Sequence, residues 1–445
     1  MVSHLFLVQR SEVRILVGQP NMINFLDKIF LRSNNLDYIS QNIKDLTKST
    51  NAKKIFEAIN SYSTESEIRY VGGCIRKIIN KEKVDDIDLA TNQEPKQVCE
   101  ILKKNKIDYY ETGIDHGTIT AVIKTYKFEI TTLRKDVFTD GRHAKVLFSK
   151  NWKEDASRRD LTINAIYSDE AGNLFDPYDG KKDLEKGFIN FIGKTNERIK
   201  EDYLRILRYL RFFINYSKQP HSPEVIKKLK LNIDGVSKLS KERLLDELKK
   251  IAKLETLEKL SNEKTSLDLI QIIFPELKYI NVFSKLNSNK KDLLKQTDFI
   301  FFLSLMIVDD TDNADYFLYK YNISKKNQKR IKDIYKFYKE KINTKTFSEN
   351  NMNRIFYYHG LQAVLDILSF KIIKSKKFEK SLLELREHYK KRIIPNMPIG
   401  ANELMTKYKI PEGKQLGLKL KIIEENWVNN NFKITDVQIE NIIKN

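Results

Sequence analysis

The sequence predicts an α+β chain: a small mixed-sheet head with helices, followed by a long all-helical neck, body and tail. Three observations carry this. Strand-type alternation of apolar residues is confined to residues 48–185. Helical periodicity takes over after residue 185 and runs to Asn445. The chain has 9 prolines and 15 glycines in 445 residues, too few for the turns of an all-β fold. That length predicts two to four domains. The expected divisions are an N-terminal extension and leading helix (1–47), a catalytic head (48–185), a helical neck (186–255), and a helical body and tail (256–445).

MVSHLFLVQRSEVRILVGQP lacks the apolar core and cleavage site of a secretory signal. Residues 1–21 are expected to be a mis-assigned start or a disordered extension, and NMINFLDKIF a better first helix. KKIFEAINSY is predicted helical, with Ile55, Phe56 and Ile59 on one side. IRYVGG predicts a short strand ending in a glycine turn that opens the helix CIRKIINKE. VDDIDLAT predicts a strand, and PKQVCEILKKN a helix with proline in its first turn. GTITAVIKT and YKFEITTLR alternate by two and predict strands joined near Thr125 and Tyr126. Residues 135–153 are expected to form a long loop. SRRDLTINAIYS predicts a helix or a helix–strand junction, and NLFDPYDG a strand running into a turn. TNERIKEDYLRILRYLRFFINY predicts one long amphipathic helix, and KERLLDELKKIAKLETLEKL another. The remainder is mostly helical, with loops near Pro220, Pro275, Pro395 and Pro411, and no internal repeat.

Lys and Arg number 80 against 60 acidic residues, a formal charge of +20. A surplus of that size points to a polyanion, with nucleic acid the first candidate; a Lys/Asn-rich compositional bias is the plain alternative. Cys74 and Cys99 cannot form a disulfide framework, which predicts a reducing compartment: the cytoplasm, or alternatively the mitochondrial matrix. The six histidines are scattered without zinc spacing. No apolar run reaches the roughly 18 residues a membrane span needs.

Alternate side chains of a strand share a face, so Asp86 and Asp88 are expected to point one way while Ile87 and Leu89 face the core. Asp85 falls on the opposite phase and is expected to be solvated. Two adjacent carboxylates repel unless a cation lies between them. Mg²⁺ suits carboxylate oxygens combined with substrate phosphate oxygens. Taken alone, such a pair also fits a solvated strand edge. Gly72 and Gly73 let the backbone approach a phosphate, and Arg76 can reach the same anion; a simple tight turn is the alternative. Glu129 offers a third carboxylate between Phe128 and Ile130. Three carboxylates, a glycine turn and arginines describe a two-metal phosphoryl- or nucleotidyl-transfer site.

RYVGGCIRKIINKEKVDDIDLAT resembles the opening motif of the class II tRNA nucleotidyltransferase and bacterial poly(A) polymerase superfamily. SRRDLTINAIY, DPYDGKKDL, ERIKEDYLRILRYLRF and KERLLDE resemble its later motifs, in the same order. ETGIDHGTIT is similar to the CCA-adding branch. Lys77 departs from the aspartate usual after the arginine. The resemblance implies a nucleotidyltransferase-type head. It implies metal binding by Asp86 and Asp88, with Glu129 as the third catalytic carboxylate. It places Arg159, Asp160 and Asn164 near the ribose and triphosphate, although Arg158, Arg159 and Asp160 also fit a local salt bridge. It implies a mobile loop over Lys135–Asn151, carrying Asp140, Gly141, Arg142 and His143, linked to nucleotide switching.

Asp202 and Arg205 are three apart, hence on one face of the expected helix beside Glu201. A helix-surface ion pair is the plain reading. The alternative is a reader of bases: a carboxylate accepts from the exocyclic amine of cytosine or adenine, and a guanidinium donates to the adjoining ring nitrogen. Guanine and uracil would set acceptor against acceptor, at about 1–3 kcal/mol. The resemblance implies the same role. Arg208 is expected to reach phosphate; with Arg205 and Arg211 it also fits a solvated basic arc. Glu242 and Arg243 match the next motif at the nucleotide pocket wall, although Arg243 and Glu247 also fit a helix-supporting pair.

The later helices interleave lysine with Tyr and Phe, as in YFLYKYNISKKNQKRIKDIYKFYKEK, which fits packed aromatics beside an RNA-gripping surface. PIGANELMTKYKIPEGKQLGLKLKIIEENW resembles the family tail. With the resemblance, the sequence implies a Mg²⁺-dependent enzyme adding C, C and A to a tRNA 3′ end from CTP and ATP without a nucleic-acid template. The alternatives are a poly(A) polymerase, or a CC-adding or A-adding enzyme. A non-catalytic RNA-binding protein fits poorly with intact Asp86, Asp88 and Glu129. The expected partners are tRNA, CTP and ATP, with no membrane.

Overall fold

The computed structural model describes residues 38–139, 144–339, 347–377 and 379–444. The expected helix NMINFLDKIF, the extension 1–21 and the loop residues Asp140, Gly141, Arg142 and His143 lie outside the described residues. The chain divides into two compact units, Met1–Ser237 and Lys238–Asn445.

In the first unit, helices 38–50 and Lys53–Asn60 lead into nine strands among the described residues. These are β1 (Ile68–Val71), β2 (Ile87–Thr91), β3 (Asp108–Gly113), β4 (Thr118–Ile123), β5 (Tyr126–Thr132), β6 (Arg134–Thr139), β7 (Ala144–Phe148), β8 (Tyr167–Ser168) and β9 (Leu174–Phe175). Seven of them form one sheet in the order β3-β4-β5-β2-β1-β8-β9. Only β2 and β5 pair in parallel; the other neighbours are antiparallel. Ile87, Leu89, Phe128 and Ile130 are buried under the two parallel strands, which leaves Asp88 and Glu129 on the other face. Each such apolar side chain contributes about 1.5–3 kcal/mol of burial, enough to fix the register, because a one-residue slip would bury the acids instead.

Helix Pro95–Lys104 starts on the predicted proline, with a reciprocal cap between Glu94 and Gln97. The stretch SRRDLTINAIYS is a junction: the end of helix Trp152–Arg158, a 3-10 turn at Thr162–Asn164, then β8.

Four expectations are corrected. Residues 135–153 are not one loop: β6 and β7 pair as a separate ribbon, with Arg134 opposite Phe148 and Lys135 opposite Leu147. Leu147 and Phe148 are exposed, so this ribbon buries too little to show apolar alternation. β3 was unforeseen for a similar reason: it is an edge strand exposed on both faces. VDDIDLAT is strand only from Ile87, and Asp86 lies just before it. The two long helices are each broken, into Thr195–Glu201 and Leu204–Tyr216, and into Lys241–Ile251 and Leu254–Leu260.

The second unit shows no strand among its described residues. Helix Phe299–Ile307 is buried from Ile300 onward and forms its centre. Arg330 bridges Asp298 at 2.7 Å and the buried Asp366 at 2.8 Å. Ile399, Leu404, Leu416, Ile423 and Ile439 form a separate apolar cluster near the C-terminus. No described helix is long and apolar enough to cross a membrane.

Candidate active site

The parallel pairing of β2 with β5 sets Asp88 directly opposite Glu129. Asp88 is half-buried, and Glu129 and Asp86 are exposed. Burial and the neighbouring Glu129 and Asp86 push the Asp88 carboxyl up to about 6, against the opposing pull of Arg159 and Arg76. The sequence-predicted acids and two of the predicted arginines therefore converge on one carboxylate.

The glycine turn closes on the same point. Gly72 adopts φ +66°, a region that favours glycine, and its N–H donates to the Ile166 carbonyl at 3.1 Å. A Cβ on Gly72 would touch Arg159 Nη1 at 3.4 Å, and one on Gly73 would approach Asp88 Oδ2 at 3.7 Å. The turn thus brings backbone beside both an arginine and the half-buried acid. Cys74, the next residue, is inert: burial pushes its thiol up to about 12.

The basic residues are held by a buried network. Arg76 is buried, donates to Asn164 Oδ1, and lies 4.6 Å over the Phe212 ring. Asn164 Nδ2 donates to Asp160 Oδ1 at 2.9 Å, and Asp160 Oδ2 accepts from Arg208 Nε at 2.6 Å. Burial alone would raise the Asp160 carboxyl. Arg208, Asn164 and the Leu161 N–H instead hold it well below the usual range. Arg159 Nε donates to Tyr167 Oη at 3.0 Å, and Arg159 Nη2 to Asp155 Oδ2 at 3.2 Å.

Asp155 was missed by sequence reasoning. Burial works against its charge, but Arg159, Arg158 and Tyr167 hold its carboxyl down to about 2. Its spacing of three and four from Arg158, the last residue of helix Trp152–Arg158, and from Arg159 just beyond it was the available signal. Arg198 was also missed. It donates to the carbonyls of Arg158 and Arg159 and to Glu201 Oε2.

The helix break changes the geometry expected of the base reader. Asp202 ends the first segment in an extended conformation, so it does not share a continuous helical face with Arg205. Asp202 Oδ1 accepts from the Leu204 N–H at 3.1 Å. Arg205 Nη1 donates to Glu201 Oε2 at 2.7 Å and to the Arg198 carbonyl at 2.9 Å. Arg211 lies 4.2 Å over the Phe212 ring. Asp85, expected to be solvated, forms an ion pair with Lys77 while remaining largely exposed. Glu242 and Arg243 open helix Lys241–Ile251 of the second unit, where the buried Glu247 lies 3.5 Å from Lys250.

Among the described residues no cluster of three acidic, His or Cys side chains has metal-binding geometry. The donor set still fits Mg²⁺, which commonly takes one or two carboxylates and completes its shell with water and substrate phosphates. Asp86 and Asp88 are the residues that would hold it; burial, then the charges of Glu129 and Asp86, raise the Asp88 carboxyl, and a cation there would oppose that rise.

Residues 68–190 match the Poly A polymerase head domain family, and residues 292–443 match tRNA nucleotidyltransferase domain 2. The chain is 32% identical over 382 residues to the human mitochondrial CCA tRNA nucleotidyltransferase 1, covering 85% of this chain and 86% of that protein. It is 30% identical to a CCA-adding enzyme of Staphylococcus haemolyticus, over 72% of this chain and 76% of that one. Its fold is similar to that of the Bacillus stearothermophilus CCA-adding enzyme in complex with CTP, with TM-score 0.67 and 19% identity over 88% of this chain and 95% of that chain. It is also similar to the Thermotoga maritima CCA-adding enzyme complexed with tRNA, with TM-score 0.57 and 18% identity over 88% and 94% of the two chains.

Proposed function

The chain belongs to the family of CCA-adding tRNA nucleotidyltransferases, and from that premise we propose how its own residues carry the reaction. It is a nucleotidyltransferase that adds C, C and A to the tRNA 3′ end from CTP and ATP. The observation that carries the site assignment is the cross-strand pairing of Asp88 with Glu129, beside Asp86 and the Gly72–Gly73 turn.

Asp86 and Asp88 would hold the divalent ion, with Glu129 as the third carboxylate of the site. When bound, Mg²⁺ supplies charge stabilisation to the triphosphate and acidifies the attacking 3′-hydroxyl. Gly72 and Gly73 let the triphosphate lie against backbone. Arg159, fixed by Asp155 and Tyr167, faces the phosphates from the other side of the turn. Asp160 and Asn164 position Arg76 and Arg208 through the buried network. The 3′-hydroxyl oxygen bonds to the α-phosphorus as the bond to the β-phosphate oxygen breaks; pyrophosphate leaves, and the hydroxyl proton passes to solvent or a carboxylate.

Base choice falls to Asp202 and Arg205. The Glu201 contact holds one edge of the Arg205 guanidinium, in keeping with a rigid reader. Glu242 and Arg243 are assigned to nucleotide binding, and Asp140 and Arg142 to nucleotide switching. The divisions at residues 185 and 255 belong to the same proposal, with residues 186–255 as the base-reading neck. The second unit, part of the +20 charge, holds the tRNA. The proposed site of action is the cytoplasm, with the mitochondrial matrix as the alternative that the name of the human relative supports.

The test is incubation with tRNA lacking its last three nucleotides, Mg²⁺, and each labelled nucleotide, singly and together. Ordered addition of two C residues and one A is expected. A long adenylate tail would replace this reading with a poly(A) polymerase.

A further inference from the structure

The helix break at Asp202 and Tyr203 needs a cause. ERIKEDYLRILRYLRF contains no glycine or proline and carries helical periodicity throughout. Asp202 nevertheless turns extended, at φ −155° and ψ 106°, and Tyr203 returns to helical angles at φ −62° and ψ −17°. A sharp break without glycine or proline must be held by a side chain or a cap. Part of the hold is local: the Leu204 N–H donates to Asp202 Oδ1 at 3.1 Å, and the Arg205 N–H to the Asp202 carbonyl at 3.0 Å.

Tyr203 also packs closely against a residue about thirty positions away in the chain. A Cβ on Gly235 would lie 2.1 Å from Tyr203 Cε1, 2.2 Å from Cδ1 and 2.4 Å from Cζ. Gly235 is buried in the 3-10 turn Ile233–Lys238, and its backbone is not among the positive-φ glycines. Space, not backbone conformation, is therefore what requires glycine there.

We propose that Gly235 and Tyr203 are a specificity-positioning pair: the tyrosine ring, seated where only glycine leaves room, fixes the break that places Asp202 relative to Arg205. The inference rests on the assignment of Asp202 and Arg205 as the base reader. Arg205 is tied back to Glu201 and the Arg198 carbonyl in the preceding helix. Asp202 ends the first segment while the Arg205 backbone belongs to the second, so a change in the angle of the break moves the Arg205 stem relative to the Asp202 carboxylate and strains those ties.

The test measures kcat and KM for CTP, UTP, ATP and GTP on truncated tRNA with the full chain and three variants. Gly235→Ala and Tyr203→Ala should each reduce discrimination against UTP and GTP by about tenfold, through kcat/KM, with tRNA affinity retained. Tyr203→Phe keeps the ring and should keep the discrimination. Tyr203→Ala removes bulk rather than adding it, so it stays informative if Gly235→Ala fails to fold. A folded Tyr203→Ala enzyme with wild-type discrimination overturns the inference. A wild-type enzyme that uses all four nucleotides alike overturns the reader itself, and this pairing with it.

Discussion

Replacing Asp160 with asparagine tests whether the arginine network is a load on stability as well as a feature of the site. The wild-type carboxylate is 7% exposed and saturated. Oδ1 accepts from the Leu161 N–H and Asn164 Nδ2, each at 2.9 Å, and Oδ2 accepts from Arg208 Nε at 2.6 Å. An asparagine can keep the first two partners only by turning its NH₂ toward Arg208, which sets donor against donor. Flipping the amide moves the clash to Asn164, whose own Oδ1 is engaged by Arg76. Removing one partner of a buried charge pair costs about 3–5 kcal/mol, but the Arg208 side chain is 32% exposed and regains water. The expected cost is therefore about 2–3 kcal/mol, or roughly 5–10 °C in Tm for a unit of this size. Urea unfolding followed by tryptophan fluorescence and circular dichroism measures it. The native carboxyl is held below its unfolded value, so its stabilisation is fully present above about pH 3.9 and is lost as pH falls toward the native value. The gap between wild type and variant should be constant from pH 5 to 8 and close in acid. A variant within about 0.5 kcal/mol of wild type at pH 7 would refute the argument that Asp160 is ionised and structurally committed.

Three further outcomes follow from the site. Asp88→Asn should lower kcat/KM by at least about a hundredfold while leaving tRNA affinity intact, because one oxygen of the ion-holding pair loses its charge; single-turnover incorporation and tRNA binding, measured together, check this. Arg205→Ala should narrow the preference for CTP over UTP by roughly tenfold to a hundredfold, and equal loss with all four nucleotides would count against base reading. Gly72→Ala must hold a side chain at φ +66° and crowd Arg159, so it should cost about 1–3 kcal/mol of stability and raise KM for both nucleotides, read by thermal melting and steady-state kinetics.

What could be read in the sequence depended on the range of the interactions. Asp88 and Glu129 were legible because strand alternation is local, and pairing in the observed register brings them together. The Asp155 clamp on Arg158 and Arg159 was legible in principle from helical spacing alone. The ribbon of β6 and β7 was not, because exposed Leu147 and Phe148 leave no contrast between its faces. Nor was the break at Asp202, since local propensity favours a continuous helix and the residue that gives Tyr203 its seat is Gly235. The ion pair between Lys77 and Asp85 crosses from a helix to the loop before β2, so no single periodicity displays it.

The charges of the site also bear on how a nucleotide enters. Asp88 lies directly opposite Glu129, and burial first, then the charges of Glu129 and Asp86, push its carboxyl up to about 6. The arginines around them already serve protein acceptors: Arg76 serves Asn164, Arg159 serves Asp155, Arg208 serves Asp160 and Arg205 serves Glu201. On the proposed assignment, a triphosphate arriving alone would add its charge to the three acids while meeting guanidiniums already hydrogen-bonded to protein oxygens. Recruiting those arginines would strip Asp155 and Asp160 of the partners that keep them ionised inside the protein. On the proposed assignment, a nucleotide entering with a divalent ion would offset the carboxylates directly, while Arg159 meets the phosphates with its bonds to Tyr167 and Asp155 kept.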